Sequence, residues 1–74
     1  MNQEQILFKM QTVLKKEISY ETVFARAFED SLDALDNIAE IEDAFDIVIP
    51  ISILTDINTI GDLVRYIEIT ILAK

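Results

Sequence analysis

Between residues 31 and 45 the apolar positions Ala34, Ile38, Ile41 and Phe45 recur at intervals of four, three and four. At about 100° per residue they share one stripe of a helix, which predicts a buried face over Ser31 to Phe45, with Asp30 or Ser31 as N-cap. The same segment carries a second apolar strip, Leu32, Leu35 and Ala39, set among Asp33, Asp36, Glu40 and Asp43. A helix with one partner surface does not need a second strip. Upstream, Ile6, Met10, Val13 and Leu14 predict a first helix from Asn2 to about Lys16, closing on Lys15 and Lys16 as the helix dipole favours. Leu7 and Phe8 widen its apolar surface, and Phe8 is placed across the top of the bundle.

From Glu17 to Glu29 the apolar residues Ile18, Tyr20, Val23, Phe24 and Phe28 follow no period, and no Gly or Pro punctuates them. This stretch reads as an ordered connector with a helical turn near Glu21 to Arg26. Ile47 to Ile53 is β-branched enough to suggest a strand, but Pro50 interrupts it and no second strand exists to pair with it. It is read instead as an extended connector whose Ile47 and Ile49 plug the bundle, followed by a short helical turn over Ile51 to Leu54. Thr59 and Asp62 have the spacing of a capping box. Leu63, Tyr66, Ile67, Thr70 and Ile71 then continue a closing helix toward the end of the chain. The expected fold is all-α, three principal helices plus one short helix in a single domain over residues 1–74. Ile38, Ile41, Phe45, Ile49 and Tyr66 are assigned to its core.

Composition narrows the chemistry. The chain has 74 residues, a formal net charge of -8, and neither Cys nor His. His- or Cys-based catalysis within this chain is therefore excluded, as are disulfides and thiolate metal sites. So short a chain leaves little room for a deep, water-excluding catalytic pocket. The acidic balance disfavours nucleic acid and anionic membranes, and favours basic protein partners reached by electrostatic steering. Asp33 and Asp36 lack the spacing and glycine of a calcium loop, so no metal site is assigned. No apolar run approaches the length of about 20 residues that spans a bilayer. The opening MNQEQ lacks the basic-then-apolar order of a secretion signal. Both favour a cytoplasmic location, and a monomer is expected.

The residues around Ser31 resemble the acyl carrier proteins. The resemblance rests on Asp30-Ser31-Leu32-Asp33, on Asp43-Ala44-Phe45-Asp46-Ile47-Val48-Ile49-Pro50, and on Thr59 to Ile67. Three elements in the family's order cover roughly Phe28 to Glu68. The chain departs from the pattern upstream. Its first loop is several residues short, with Ala27-Phe28-Glu29 before Asp30 where carriers often place a glycine.

What the resemblance implies is a non-enzymatic carrier of an acyl thioester. The thiol that this chain lacks would come from 4'-phosphopantetheine, which a phosphopantetheinyl transferase joins to the motif serine, here Ser31. By the same resemblance Asp30 contacts the transferase. Leu32, Asp33, Leu35, Asp36, Ala39, Glu40 and Asp43 would form the face that meets acyl-loading and acyl-processing enzymes with basic surfaces. Phe45 to Pro50 is also similar to the element of aminoacyl, D-alanyl-type carriers, whereas Leu32-Asp33 sides with acyl carriers. Plainer readings stand beside these. Ser31 can be a helix N-cap and nothing more, the acids a solvated face, and the whole an unmodified acidic helical adaptor. Between Arg26 and Arg65 there is no Lys or Arg, so these acids have no cation along their own helix.

Overall fold

A computed structural model describes residues 1–73. It is an all-α bundle: α1 Gln3–Leu14, α2 Ser31–Phe45, α3 Ile51–Asp56 and α4 Ile60–Leu72, with a single 3-10 turn, Phe24–Arg26, in the first connector. The expected three long helices and one short one are all present. α1 packs against both α2 and α4. The core between them holds Ile6 and Met10 of α1, Ile38, Ile41 and Phe45 of α2, and Ile60, Leu63, Val64 and Ile67 of α4. Ile47 and Ile49 are buried, closing the bundle as expected, while Val48 between them points outward. Burying an aliphatic side chain of this size is worth about 1.5–3 kcal/mol. That apolar core, in a chain without disulfides, holds the helices together.

Helix ends differ from the expected boundaries for local reasons. Asn2 caps α1 in a capping box with Gln5: its side chain accepts from Gln5 N–H at 2.8 Å, and Gln5 Oε1 accepts from Asn2 N–H at 3.0 Å. α1 stops at Leu14 rather than Lys16, because Lys15 turns into the left-handed conformation at φ 56° and ψ 41°. Lys15 and Lys16 therefore lie beyond the last turn rather than in it. Phe8 does not cross the top of the bundle. It is 71% exposed, and at about 200° from Ile6 it faces away from the buried stripe. Tyr66 is half-buried, its ring against the core and its hydroxyl donating to Val48 O. α3 extends to Asp56, past the turn expected to end at Leu54.

The aperiodic first connector is held by main-chain pairing to the segment before α4. Phe24 N–H donates to Asn58 O at 2.8 Å, Ile60 N–H to Thr22 O at 2.8 Å and Gly61 N–H to Tyr20 O at 2.9 Å. Among the described residues this bridge takes the place of any strand. Gly61 permits it by lacking a side chain: a Cβ there would lie 2.9 Å from Tyr20 O. The chain from Pro50 onward starts cleanly because Pro50, at φ −65°, caps α3 while its carbonyl accepts from Ile53 and Leu54. Thr59 and Asp62 form the expected capping box at the head of α4.

Candidate functional site at the head of α2

Asp30, not Ser31, caps α2. Its backbone is extended, and its Oδ1 accepts from Asp33 N–H at 2.8 Å. Ser31 is the first helical residue and is exposed, and its hydroxyl has no intramolecular hydrogen bond among the described residues. The plain N-cap reading of Ser31 is thereby excluded: the neighbouring aspartate already does that work. What remains is a free hydroxyl at a helix mouth, where unpaired backbone N–H groups and the positive end of the dipole favour an attached phosphate.

Of the two carboxylates flanking that position, Asp33 is already engaged. Its Oδ2 accepts from Glu29 N–H at 3.0 Å and lies 3.4 Å from Lys16 Nζ, and its Oδ1 accepts from Asn37 Nδ2 at 3.0 Å. The Glu29 amide most of all, then the Lys16 ammonium and the Asn37 amide, hold its carboxyl below the usual range against a smaller opposing effect of desolvation. Its charge is spent mainly inward, which reduces its repulsion of a phosphate on Ser31. The sequence pattern did not reveal Lys16 as a partner, because it comes from the connector rather than from α2.

The outward strip is where the pattern placed it. Leu32 is 73% and Leu35 50% exposed, and Ala39, Asp36, Glu40 and Asp43 also face solvent. None of these three acids pairs with a cation among the described residues. Glu42 behaves differently: its Oε2 accepts from Ile49 N–H at 2.7 Å, tying the Ile47 to Pro50 connector to α2. Just beyond α2, in the connector and at the start of α3, the exposed apolar residues Val48 and Ile51 escaped the sequence reading. The in-out-in alternation of Ile47, Val48 and Ile49 was the signal for the first.

Two adjoining clefts, of about 380 and 350 Å³, meet at Ser31 and share Phe24, Ala34 and Leu54. The second runs between α2 and α3, past Leu35 and Ile38 to Ile51, and is almost wholly apolar. A broader depression of about 740 Å³ lies on the outer face of α1 around Phe8 and Lys9 and does not include Ser31. No group of His, Cys, Asp or Glu side chains among the described residues is placed to hold a metal ion. Nor is any helix long and apolar enough to cross a membrane.

The exposed hydroxyl at the helix mouth is flanked by two carboxylates, Asp30 and Asp33, both committed to backbone amides. Fold and site together define a small helical carrier domain. The family described as "Phosphopantetheine attachment site" matches residues 4–67. The acyl carrier protein of Streptococcus pyogenes serotype M1 is 49% identical over 53 residues, covering 72% of this chain and 69% of its own. That of Streptococcus pneumoniae serotype 4 is 48% identical over 52 residues, covering 70% and 68%. That of Streptococcus thermophilus strain CNRZ 1066 is 47% identical over 53 residues, covering 72% and 69%. No solved structure matches at the threshold these relatives pass. The chain belongs to the acyl carrier protein family, whose members carry covalent 4'-phosphopantetheine.

Proposed function

We propose that Ser31 is the residue to which 4'-phosphopantetheine is joined, and that the protein carries an acyl group as a thioester on that arm. The observation that supports this most directly is the division of roles at the head of α2: Asp30 makes the cap, leaving the exposed Ser31 hydroxyl uncommitted. The arm supplies the thiol that the chain lacks. This chain's own part is to present the hydroxyl, to favour the resulting phosphodiester at the helix mouth, and to offer a docking face. Asp30 lies beside the acceptor, where it can meet basic groups of a phosphopantetheinyl transferase. The acid-base chemistry belongs to that enzyme, and the carrier itself is not a catalyst.

Leu32, Leu35 and Ala39 form the apolar centre of the proposed face, rimmed by Asp36, Glu40 and Asp43 with Asp33 at its edge. A basic surface with an apolar hollow is the complement, and acyl-loading and acyl-processing enzymes are the proposed partners. The apolar cleft leading from Ser31 toward Ile51 supports a hydrocarbon cargo, as in fatty-acid, polyketide or specialised acyl pathways, over a polar aminoacyl group. We place the protein in the cytoplasm, as a monomer. Incubation with coenzyme A and a promiscuous transferase, followed by intact-mass measurement, tests the reading. One pantetheine arm should be gained by the unsubstituted protein and none by Ser31→Ala. No gain by the unsubstituted protein would leave the unmodified-adaptor reading standing, and a gain that survives Ser31→Ala would place the arm elsewhere.

A further inference from the structure

The segment from Ala27 to Asp30 leads directly into Ser31 and has no helix or strand of its own. Beside the Ala27 N–H to Phe24 O and Ala34 N–H to Asp30 O bonds, several of its ties to the rest of the fold run through one side chain. Lys16 Nζ donates to Ala27 O at 2.9 Å, lies 3.4 Å from Asp33 Oδ2, and sits 4.8 Å from the centre of the Phe28 ring. Asp33 in turn accepts from Glu29 N–H, and its own N–H reaches the Asp30 cap. Phe28 is buried and stacks edge-on against Phe24, its centroid 5.2 Å away, so the wall of the cleft beside Ser31 depends on the same pin. Lys16 can reach this segment because Lys15 turns the chain at the end of α1. Among the described residues no other cation pairs with this segment: Lys9 lies over Phe45, Arg65 is paired with Asp62, and neither Lys15 nor Arg26 makes an ion pair.

The geometry points to Lys16 as the positioning residue for modification of Ser31, an inference that rests on Ser31 being the attachment point. Lys16 does not touch the hydroxyl, and it meets the docking face only at its edge, through Asp33. It fixes the strap whose last residue caps α2, and so fixes where the first turn presents Oγ. Transfer forms a bond from Oγ to the phosphorus of coenzyme A's pantetheine phosphate and breaks that phosphorus's bond to the departing nucleotide, with the Oγ proton passing to the transferase. Such a displacement needs the attacking oxygen held in line, and misplacement by about 1 Å costs up to about a hundredfold. The other acids of the docking face, Asp36, Glu40 and Asp43, lie further along α2, and Lys16 does not pair with them.

The test is the steady-state kinetics of arm transfer to full-length Lys16→Met, which keeps the methylene stem over Phe28 and loses the charged donor. Assays run well below the melting temperature of every variant. The expected result is a fall in kcat of about tenfold with KM within twofold, recovery to within about threefold in Lys16→Arg, and faster amide exchange at Glu29 with none at Ile41. A role in stability alone would lower the melting temperature and leave both constants of the folded protein unchanged. Transfer to Lys16→Met at the unsubstituted rate overturns the proposal. Should Lys16→Met fail to fold, Lys16→Gln is compared in the same way. If the unsubstituted protein gains no arm at Ser31, the attachment reading itself has failed, and the positioning role falls with it.

Discussion

Replacing Gly61 by alanine sets two effects of opposite sign against each other. Alanine in place of glycine in a helix is favoured intrinsically, by about 1 kcal/mol in an interior and less in a first turn, where Gly61 lies, so a gain of about 0.5 kcal/mol is a fair allowance. Against this, the new Cβ would stand 2.9 Å from Tyr20 O and 3.3 Å from Tyr20 Cβ. The carbonyl cannot simply retreat, because it accepts the N–H of Gly61 itself at 2.9 Å. Moving it also pulls on the neighbouring Ile60 N–H to Thr22 O bond. Weakening two such bonds, each worth about 1 kcal/mol net, costs about 2 kcal/mol. The balance is a loss of about 1.5 kcal/mol, which for a domain of this size lowers the melting temperature by about 6–12 °C. Thermal unfolding followed by circular dichroism reads it, with amide exchange at Ile60 and Gly61 as the local check. A variant that melts at or above the parent temperature would refute the argument, because propensity would then outweigh the close approach.

Acid should weaken the fold through two carboxylates. Asp33 is held below the ordinary carboxylate value of about 3.9, first by the Glu29 N–H and then by Lys16 and Asn37, and Asp62 by the Asn58 and Thr59 amides and then by Arg65. Depressed folded-state values mean that the unfolded chain takes up protons first. The stability these groups contribute is therefore complete above about pH 5 and is lost as pH falls below about 4 and on through the folded values. Urea midpoints across that range should drop, and the drop should be shallower in Asp33→Asn and Asp62→Asn; an equally steep acid limb in the double variant contradicts the assignment. Lys15→Gly should stabilise by about 0.5–1 kcal/mol, because a left-handed helix terminus suits glycine and the lysine side chain there is exposed. A lowered melting temperature would show that Lys15 does more than turn the chain.

Much of the fold was legible because it is written in side chains at helical spacing. The stripe Ala34, Ile38, Ile41 and Phe45 gave the buried face of α2, and Thr59 with Asp62 gave the start of α4. The pairing of residues 20–24 with 58–61 was hidden for a physical reason: its bonds are between main-chain groups, which every residue type carries. The only trace it leaves is the glycine at 61, and that is visible as a requirement only once Tyr20 is known to lie against it. Phe8 shows the converse limit. Its apolar character was plain, but the core side of α1 was already occupied by Ile6, Met10 and Leu14, and a residue on the opposite face has nowhere to bury.

At the proposed site, Ser31 and the outward strip of α2 were legible from motif and period. The choice between Asp30 and Ser31 as cap was not, since both residue types cap well, and only the Asp33 N–H to Asp30 Oδ1 bond decides it. Counting charges along α2 correctly found no cation there, but could not anticipate that Asp33 would be met by a lysine seventeen residues earlier in the chain.

That an aspartate fastens the end of α2 bears on how a loaded carrier would be told from an empty one. With the cap made by Asp30, an arm on Ser31 would leave that cap in place, so the grip offered to successive enzymes would survive loading and unloading. Discrimination among cargoes then falls to whatever each enzyme feels of the passenger itself. An enzyme that reads only the handle would bind every form alike.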